Sequence, residues 1–476
     1  RALLALLQHA ELARQYQLVP GIVAQLARFD ASGLDHALLS ERMWTALQHF
    51  DRPALKALQA QGDPVLRGWV ALALACRYPD AEERLTALDN WQKRYDRHPA
   101  QAKSEVLRSG LLRDYETATI ALLAPLSGPL AQAGGALSDG FLAAFFEAQR
   151  QRQKPGFAHT ENAPGQGQRK DVVLIDTGRY ETIEEAYASA LASDADLVVG
   201  PLEKQQVSRL LSDPTRERPL LTLNLPNPAA AASGAVLQLS LAPEDEVIQL
   251  AELAYALGYR RATLLRPAGD WGERMESALL TRWYAQGGAV ASAGVYAKRS
   301  DYSEVVRSAL DLDASSERNR SMRQLFAGAL EVQERRRRDL DLVFLLCRNS
   351  DEARALKPLI DYHYAGDLPV FTISTADTGS NDPRSNRDLN GVHVLSMPGR
   401  LSRPENSETP GLTGSLGALY ALGHDAFRIA GKFHTLESAG GTRFAGDTAS
   451  LSANGNGRLT RELRLAEFNR GTLQAR

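Results

Sequence analysis

Two kinds of hydrophobic periodicity run along the chain. In the first hundred residues Leu3, Leu6, Leu7 and Ala10 recur at helical spacing, as do Leu85, Leu88, Trp91 and Tyr95. Breaks fall at Pro20-Gly21, Asp51-Arg52-Pro53, Gly62-Asp63-Pro64 and Tyr78-Pro79-Asp80. The pattern predicts short helices joined by tight turns, stacked as hairpins. No single repeat period fits, because Trp44, Trp69 and Trp91 are 25 and 22 residues apart. These tryptophans are expected to fill the core between helices.

From Thr117 onward the pattern changes to alternating strands and helices. Strands are expected at 119–126, 171–176, 197–202, 220–223, 262–265, 290–296, 340–347 and 369–373. Between them lie helical faces such as Leu137, Phe141 and Phe145, or Ile183, Ala186, Tyr187 and Leu191 behind the capping box Thr182-x-x-Glu185. Repeated βα units give parallel sheets covered by helices on both faces, so the fold class is α/β. Residue usage agrees: the first hundred residues hold 18 Leu and 18 Ala but 7 Val, Ile or Thr, whereas 171–270 hold 15 of these. Gln149–Lys170 reads as a polar surface loop. Ser315–Asp339, with Arg335-Arg336-Arg337-Arg338, reads as a solvated helix face flanked by Glu331, Glu334 and Asp339.

Charge and composition remove several functions. Lys+Arg number 55 against 57 Asp+Glu, so 55 − 57 = −2, which lacks the basic excess of a nucleic-acid binder. The 2 cysteines exclude a disulfide scaffold and a thiolate zinc cluster, and both lie in apolar runs typical of core thiols. No apolar run approaches the roughly 18 residues of a membrane span. The P-loop, HExxH, GxSxG, CxxC and SxxK patterns are absent, and no histidines pair at i, i+4. His424-Asp425 lies inside a helical run with no nucleophile implied. The expectation is a non-enzymatic protein with no metal and no cofactor.

The segment Ile120-Ala-Leu-Leu-Ala-Pro-Leu-Ser-Gly-Pro-Leu130, with Gly134-Gly135 and Asp139-Gly140-Phe141, resembles the opening of type I periplasmic-binding-protein domains. Val198-Val-Gly-Pro-Leu202 resembles their third strand and loop. A wider set resembles the LppC or LpoA family, outer-membrane lipoproteins that activate class A penicillin-binding proteins. Its members in this chain are Asn90-Trp-Gln-Lys-Arg-Tyr-Asp-Arg-His-Pro99, Pro219-Leu-Leu-Thr-Leu-Asn224 and Asp270-Trp-Gly-Glu-Arg274. They continue as Pro369-Val-Phe-Thr-Ile-Ser374, Leu419-Tyr-Ala-Leu-Gly-His-Asp-Ala426 and Phe444-Ala-Gly-Asp-Thr448.

That resemblance implies an all-α, tetratricopeptide-like domain over 1–113 and a two-lobed type I periplasmic-binding-protein-like domain over 114–476. The lobes would be doubly wound parallel sheets, with chain crossovers near Ser240, near 376–392 and near 433–443. Ser127, Gly128, Gly200 and Asn224 would line the cleft between the lobes. The implied partner is a bifunctional class A penicillin-binding protein, whose transpeptidase the family stimulates. The implied location is the periplasmic face of the outer membrane, with a lipidated cysteine and further helices ahead of Arg1. A periplasmic receptor for a small solute is the alternative. Glu203-Lys204-Gln205 stand where amino-acid-binding relatives carry hydroxyl side chains, so an amino-acid ligand is not implied.

Overall fold

The structure is a computed structural model that describes residues 2–12, 15–27, 35–61, 63–78, 80–152, 170–227, 234–326, 334–380, 382–401, 413–414 and 416–476. The chain forms two compact units. The first comprises Arg1–Leu241, Leu419–Gly446 and Ser450–Thr460; the second comprises Ala242–Ala418, Asp447–Ala449 and Arg461–Arg476.

Helices α1 (Ala2–Leu12), α2 (Val19–Leu26), α3 (His36–Leu47), α4 (Arg52–Gln61), α5 (Pro64–Ala75), α6 (Ala81–Arg94) and α7 (Gln101–Glu116) open the first unit. It continues with β1 (Thr119–Ala124), α8 (Ala131–Arg152), β2 (Asp171–Asp176), α9 (Ile183–Ala192), β3 (Leu197–Val199), α10 (Lys204–Ser212), β4 (Leu220–Thr222) and β5 (Val236–Gln238). The second unit holds α11 (Pro243–Ala256), β6 (Arg261–Pro267), α12 (Asp270–Ala285), β7 (Ala289–Tyr296), α13 (Tyr302–Ala309) and α14 (Leu312–Leu325). It adds β8 (Leu342–Leu345), α15 (Ser350–Ile360), β9 (Val370–Thr372), β10 (Val392–Ser396) and α16 (Pro398–Leu401). The chain then returns to the first unit as α17 (Gly417–Ala430), α18 (Phe433–Ser438), β11 (Arg443–Ala445) and β12 (Ser450–Ala453). It crosses back within β13 (Leu459–Glu462) and ends in the second unit with β14 (Arg464–Asn469) and β15 (Thr472–Ala475).

Local chemistry explains the helical starts. Asp35, Asp63 and Asp80 each accept a backbone N–H from the first turn of α3, α5 and α6, a cap worth about 1 kcal/mol apiece. Trp44, Trp69 and Trp91 are buried in one helical core, as expected. Within the segment 90–99, the Trp91 indole N–H donates to the Gly68 carbonyl at 2.8 Å. His98 Nδ1 accepts the Ala100 N–H at 3.1 Å, which leaves Nε2 to donate to the Val65 carbonyl at 2.8 Å. A Cβ at Gly68 would lie 2.4 Å from that imidazole, so glycine is required for α5 to meet the ring.

The helical array and the first sheet are joined by the returning segment. A Cβ at Gly110 of α7 would sit 2.8 Å from the Thr435 Cα of α18. Trp44 donates to the Thr442 hydroxyl at 3.1 Å, and Lys103 bridges Glu41 at 2.7 Å and the Gly440 carbonyl at 3.1 Å. Helices α8 and α17 cross at equally close range. A Cβ on Gly140 would meet the Tyr420 carbonyl oxygen at 1.9 Å, and one on Gly423 would meet that of Leu137 at 1.9 Å.

The first sheet is wholly parallel with order β2-β1-β3-β4-β5. The second has order β15-β14-β10-β9-β8-β6-β7, parallel from β7 to β10, with β14 and β15 added antiparallel at one side. Central strands are buried on both faces, as parallel sheets between helices must be. The architecture is the expected α/β one, two doubly wound sheets preceded by helices, with the second sheet mixed because β14 and β15 join it antiparallel.

The first crossover falls at Leu241, beside Ser240 as expected. The second falls after Ala418 and not within 376–392, because the chain stays in the second unit through that window to supply β10, which starts at Val392 and pairs with β9. The third window, 433–443, is also corrected. There α18 stays packed on α7, and the chain leaves the first unit only after Gly446 and finally after Thr460. Pro20-Gly21 opens α2 and does not separate helices. The tetra-arginine run is irregular backbone, not a helix face. Most of Gln149–Lys170, with Gly62, Pro79 and Glu331, lies outside the described residues.

Candidate functional site

In parallel sheets the carboxyl ends of adjacent strands share one edge, where open α/β folds place ligands. Ser127, Gly128, Gly200 and Asn224 all lie on that edge of the first sheet, just beyond β1, β3 and β4. Each is occupied in shaping its loop. The carboxylate of Asp176, at the end of β2, accepts the N–H groups of Leu126 at 2.9 Å, Ser127 at 3.1 Å and Gly178 at 3.0 Å. Burial pushes the Asp176 carboxyl up, but the Ser127 hydroxyl and these N–H groups together hold it below its usual value. Gly128 turns the chain at φ 78°. Gly200 has φ 104°, and a Cβ there would lie 2.3 Å from the Leu123 carbonyl oxygen, so β1 and β3 could not approach. The Asn224 amide donates to the Leu202 carbonyl at 2.9 Å and accepts the Leu225 N–H at 3.0 Å.

The corresponding edge of the second sheet holds residues that the sequence did not single out. The Tyr296 hydroxyl lies 2.9 Å from the Leu346 carbonyl and 3.0 Å from Glu352 Oε2. Glu352 also accepts the Arg348 backbone N–H at 2.8 Å and its guanidinium Nε at 2.8 Å. The Thr375 hydroxyl donates to the Cys347 carbonyl at 2.6 Å. Burial, then the nearby Cys347 and Glu352, pushes the Tyr296 phenol far up, so it stays protonated. The local signal was slight, since Asn349, which caps Asp351 and Glu352, marks a helix start and nothing more.

The remaining candidates for chemistry are equally occupied. Burial pushes the Cys347 thiol up to about 11 and the Cys76 thiol up to about 12, away from thiolate reactivity. His424 Nε2 faces Glu147 of α8 at 3.2 Å, and the fully buried Asp425 lies 3.6 Å from Arg428. No helix among the described residues is long and apolar enough to cross a membrane. At the strand-end edges, Asp176, Asn224, Glu352 and Thr375 fasten loops to strand ends.

Residues 23–471 match the LppC family, described as "LppC putative lipoprotein". The chain belongs to the LppC family. The penicillin-binding protein activator LpoA of Vibrio cholerae is 28% identical over 459 residues, covering 92% of this chain and 72% of that protein. Full-length LpoA from Haemophilus influenzae superposes with a TM-score of 0.62 at 22% identity, over 98% of this chain and 79% of that one. A "putative branched-chain amino acid ABC transporter" from Chromobacterium violaceum superposes at TM-score 0.53 and 23% identity, over 74% and 99%. The LppC-family chain therefore shares a fold with LpoA over 98% of its own length, and its α/β part has the fold of periplasmic-binding-protein-like neighbours. The V. cholerae relative is named a penicillin-binding protein activator.

Proposed function

We propose that the chain is a non-enzymatic regulator of peptidoglycan synthesis. It binds a bifunctional class A penicillin-binding protein and raises its transpeptidase activity, from the periplasmic face of the outer membrane. The observation that carries this reading is the match to the V. cholerae penicillin-binding protein activator across 92% of the chain. The loop-fastening roles of Ser127, Asp176, Asn224 and Glu352 support it, because they leave these groups engaged within the protein.

An activator without chemistry of its own works by preferring the active conformation of its partner. A tenfold stimulation corresponds to about 1.4 kcal/mol of such preference. In this reading residues 114–476 carry the contact surface and residues 1–113 act as the spacer toward the outer membrane. The test is a peptidoglycan synthesis assay on lipid-linked substrate, scoring crosslinked muropeptides with synthase alone and with the full chain added. Crosslinking should rise when the chain is present, and the chain alone should give no product. Unchanged crosslinking at saturating chain would overturn the proposal.

A further inference from the structure

The second unit carries an aromatic and cationic projection. After Ile360 the helix α15 does not end in a glycine cap. Residues Asp361–Ala365 form a wider, π-type turn, and Tyr364 takes the left-handed conformation at φ 65°, ψ 25°. Wide turns of this kind gather at functional sites. A bulky residue in this region is an outlier that its surroundings must impose. Lys357 grips both Asp361 oxygens at 2.5 and 2.6 Å. Arg336 donates to the Tyr364 carbonyl at 2.9 Å and to Asp367 at 2.6 Å. His363 is buried, with Nε2 3.0 Å from the Ser303 hydroxyl.

The consequence is that Tyr362 and Tyr364, on either side of the buried imidazole, stand 76% and 61% exposed. Tyr362 meets the His363 imidazole edge-on at 5.0 Å yet stays largely exposed, and glycine would adopt the turn at 364 without strain. The neighbouring arginines divide in the same way. Arg336 and Arg337 are paired with Asp367 and Asp339, whereas the exposed Arg335 and Arg338 make no ion pair among the described residues. Exposed tyrosines beside guanidinium groups are the side chains that dominate protein interfaces, and a guanidinium fork matches a carboxylate. Asp361 and Asp367, with side chains 45% and 70% exposed, lie in the same patch and would repel a continuous polyanion. The mixture suits a protein segment.

We propose that Tyr362, Tyr364, Arg335 and Arg338 form the docking surface for a carboxylate-bearing segment of the penicillin-binding protein. The rings cover its apolar side chains, and the two guanidinium groups take its carboxylates. This inference rests on the activator function proposed above.

The test uses the full chain and a class A penicillin-binding protein, with affinity measured by biolayer interferometry across a salt series. Y362S/Y364G and R335E/R338E should each weaken binding at least tenfold. The salt dependence seen with the unaltered chain should become shallower in R335E/R338E. Y362S/Y364G should melt at or above the unaltered chain, because glycine relaxes the turn. Unchanged affinity in both variants, with the unaltered chain binding, overturns the docking surface and leaves the activator function standing. Failure of the unaltered chain to bind overturns both. A melt lowered by several degrees in Y362S/Y364G assigns the rings to folding and also overturns the proposal.

Discussion

Each unit holds a distant stretch of chain with a buried carboxylate, and the two do it differently. In the first, Asp114 at the end of α7 accepts the His434 N–H at 2.6 Å, the Thr435 N–H at 3.1 Å and the Thr435 hydroxyl at 2.5 Å. It thereby supplies the missing N-terminal acceptor of α18 from 320 residues away. In the second, Glu246 in the first turn of α11 meets Arg461 at 3.2 Å and accepts the Ser374 N–H at 3.0 Å. Beside it the Gln249 amide exchanges both hydrogen bonds with the Leu463 backbone, at 2.8 and 3.0 Å. A carboxylate satisfied mainly by backbone dipoles remains titratable when buried. One paired with a guanidinium has the cost of burial offset chiefly by that cation, and removing the cation strands a buried charge.

The largest effect should come from breaking the second clasp. R461A leaves Glu246 buried without its cation and should destabilise the protein by about 3–5 kcal/mol. E246Q/R461M, which removes both charges, should recover much of that loss. Urea denaturation of the two variants checks this, and equal losses would show that packing of the arginine stem matters more than its charge.

The first clasp should instead reveal itself through pH. Burial raises the Asp114 carboxyl to about 6, against the pull of the Thr435 and His434 donors and of Lys170. Burial, Arg113 and Lys170 lower the adjacent His434 imidazole to about 4. Between about pH 4 and 6 the folded state keeps a proton on Asp114 that the unfolded chain releases, so this contribution falls as pH rises, by at most about 3 kcal/mol. Over the same window the unfolded chain protonates His434 while the folded chain does not, so that contribution grows as pH rises. Lys432, lowered to about 8 by burial and then by Arg84 and Arg428, keeps its charge throughout this window. The two trends oppose each other. D114N should therefore make stability climb from pH 4 to 6, and H434Q should make it decline. Thermal melts at half-unit pH steps measure both slopes, and parallel slopes would remove the clasp as the titrating element.

The smallest effect belongs to a carboxylate whose partners are all local. Asp80 accepts the backbone N–H groups of Glu82 and Glu83 at 2.8 and 3.1 Å, and D80A should cost about 1 kcal/mol, read as a small drop in the urea midpoint. A loss as large as that of R461A would mean that the start of α6 nucleates the whole helical array.

Much of this fold was legible before any coordinates. The helices between Asp51 and Arg94 and the parallel strands from Thr119 to Thr372 follow from 3.6-residue periodicity, proline-marked breaks and short β-branched runs. The final strands were not. In Leu459–Asn469 the charged Arg461 is 4% exposed because Glu246 covers it, so an inward position reads as an outward one. At the candidate edge, Ser127, Gly128, Gly200 and Asn224 were identifiable because a turn must follow each buried parallel strand. Their partners Asp176, Leu123 and Leu202 were not, since nothing in the chain specifies which strand lies beside which.

The sequence by itself determined the type of each local element, the division into helical and α/β stretches, and membership of the LppC family. Those depend on repeating side-chain patterns within a few turns or strands. Tertiary structure alone decided that α7 would be closed by α18, that β10 would complete the second sheet before the chain returned, and that Arg461 would face inward. These pairings join groups from about 20 to more than 300 residues apart. Local periodicity records that a face is buried, whereas the identity of what buries it is settled only when the chain closes and each buried polar group finds its partner.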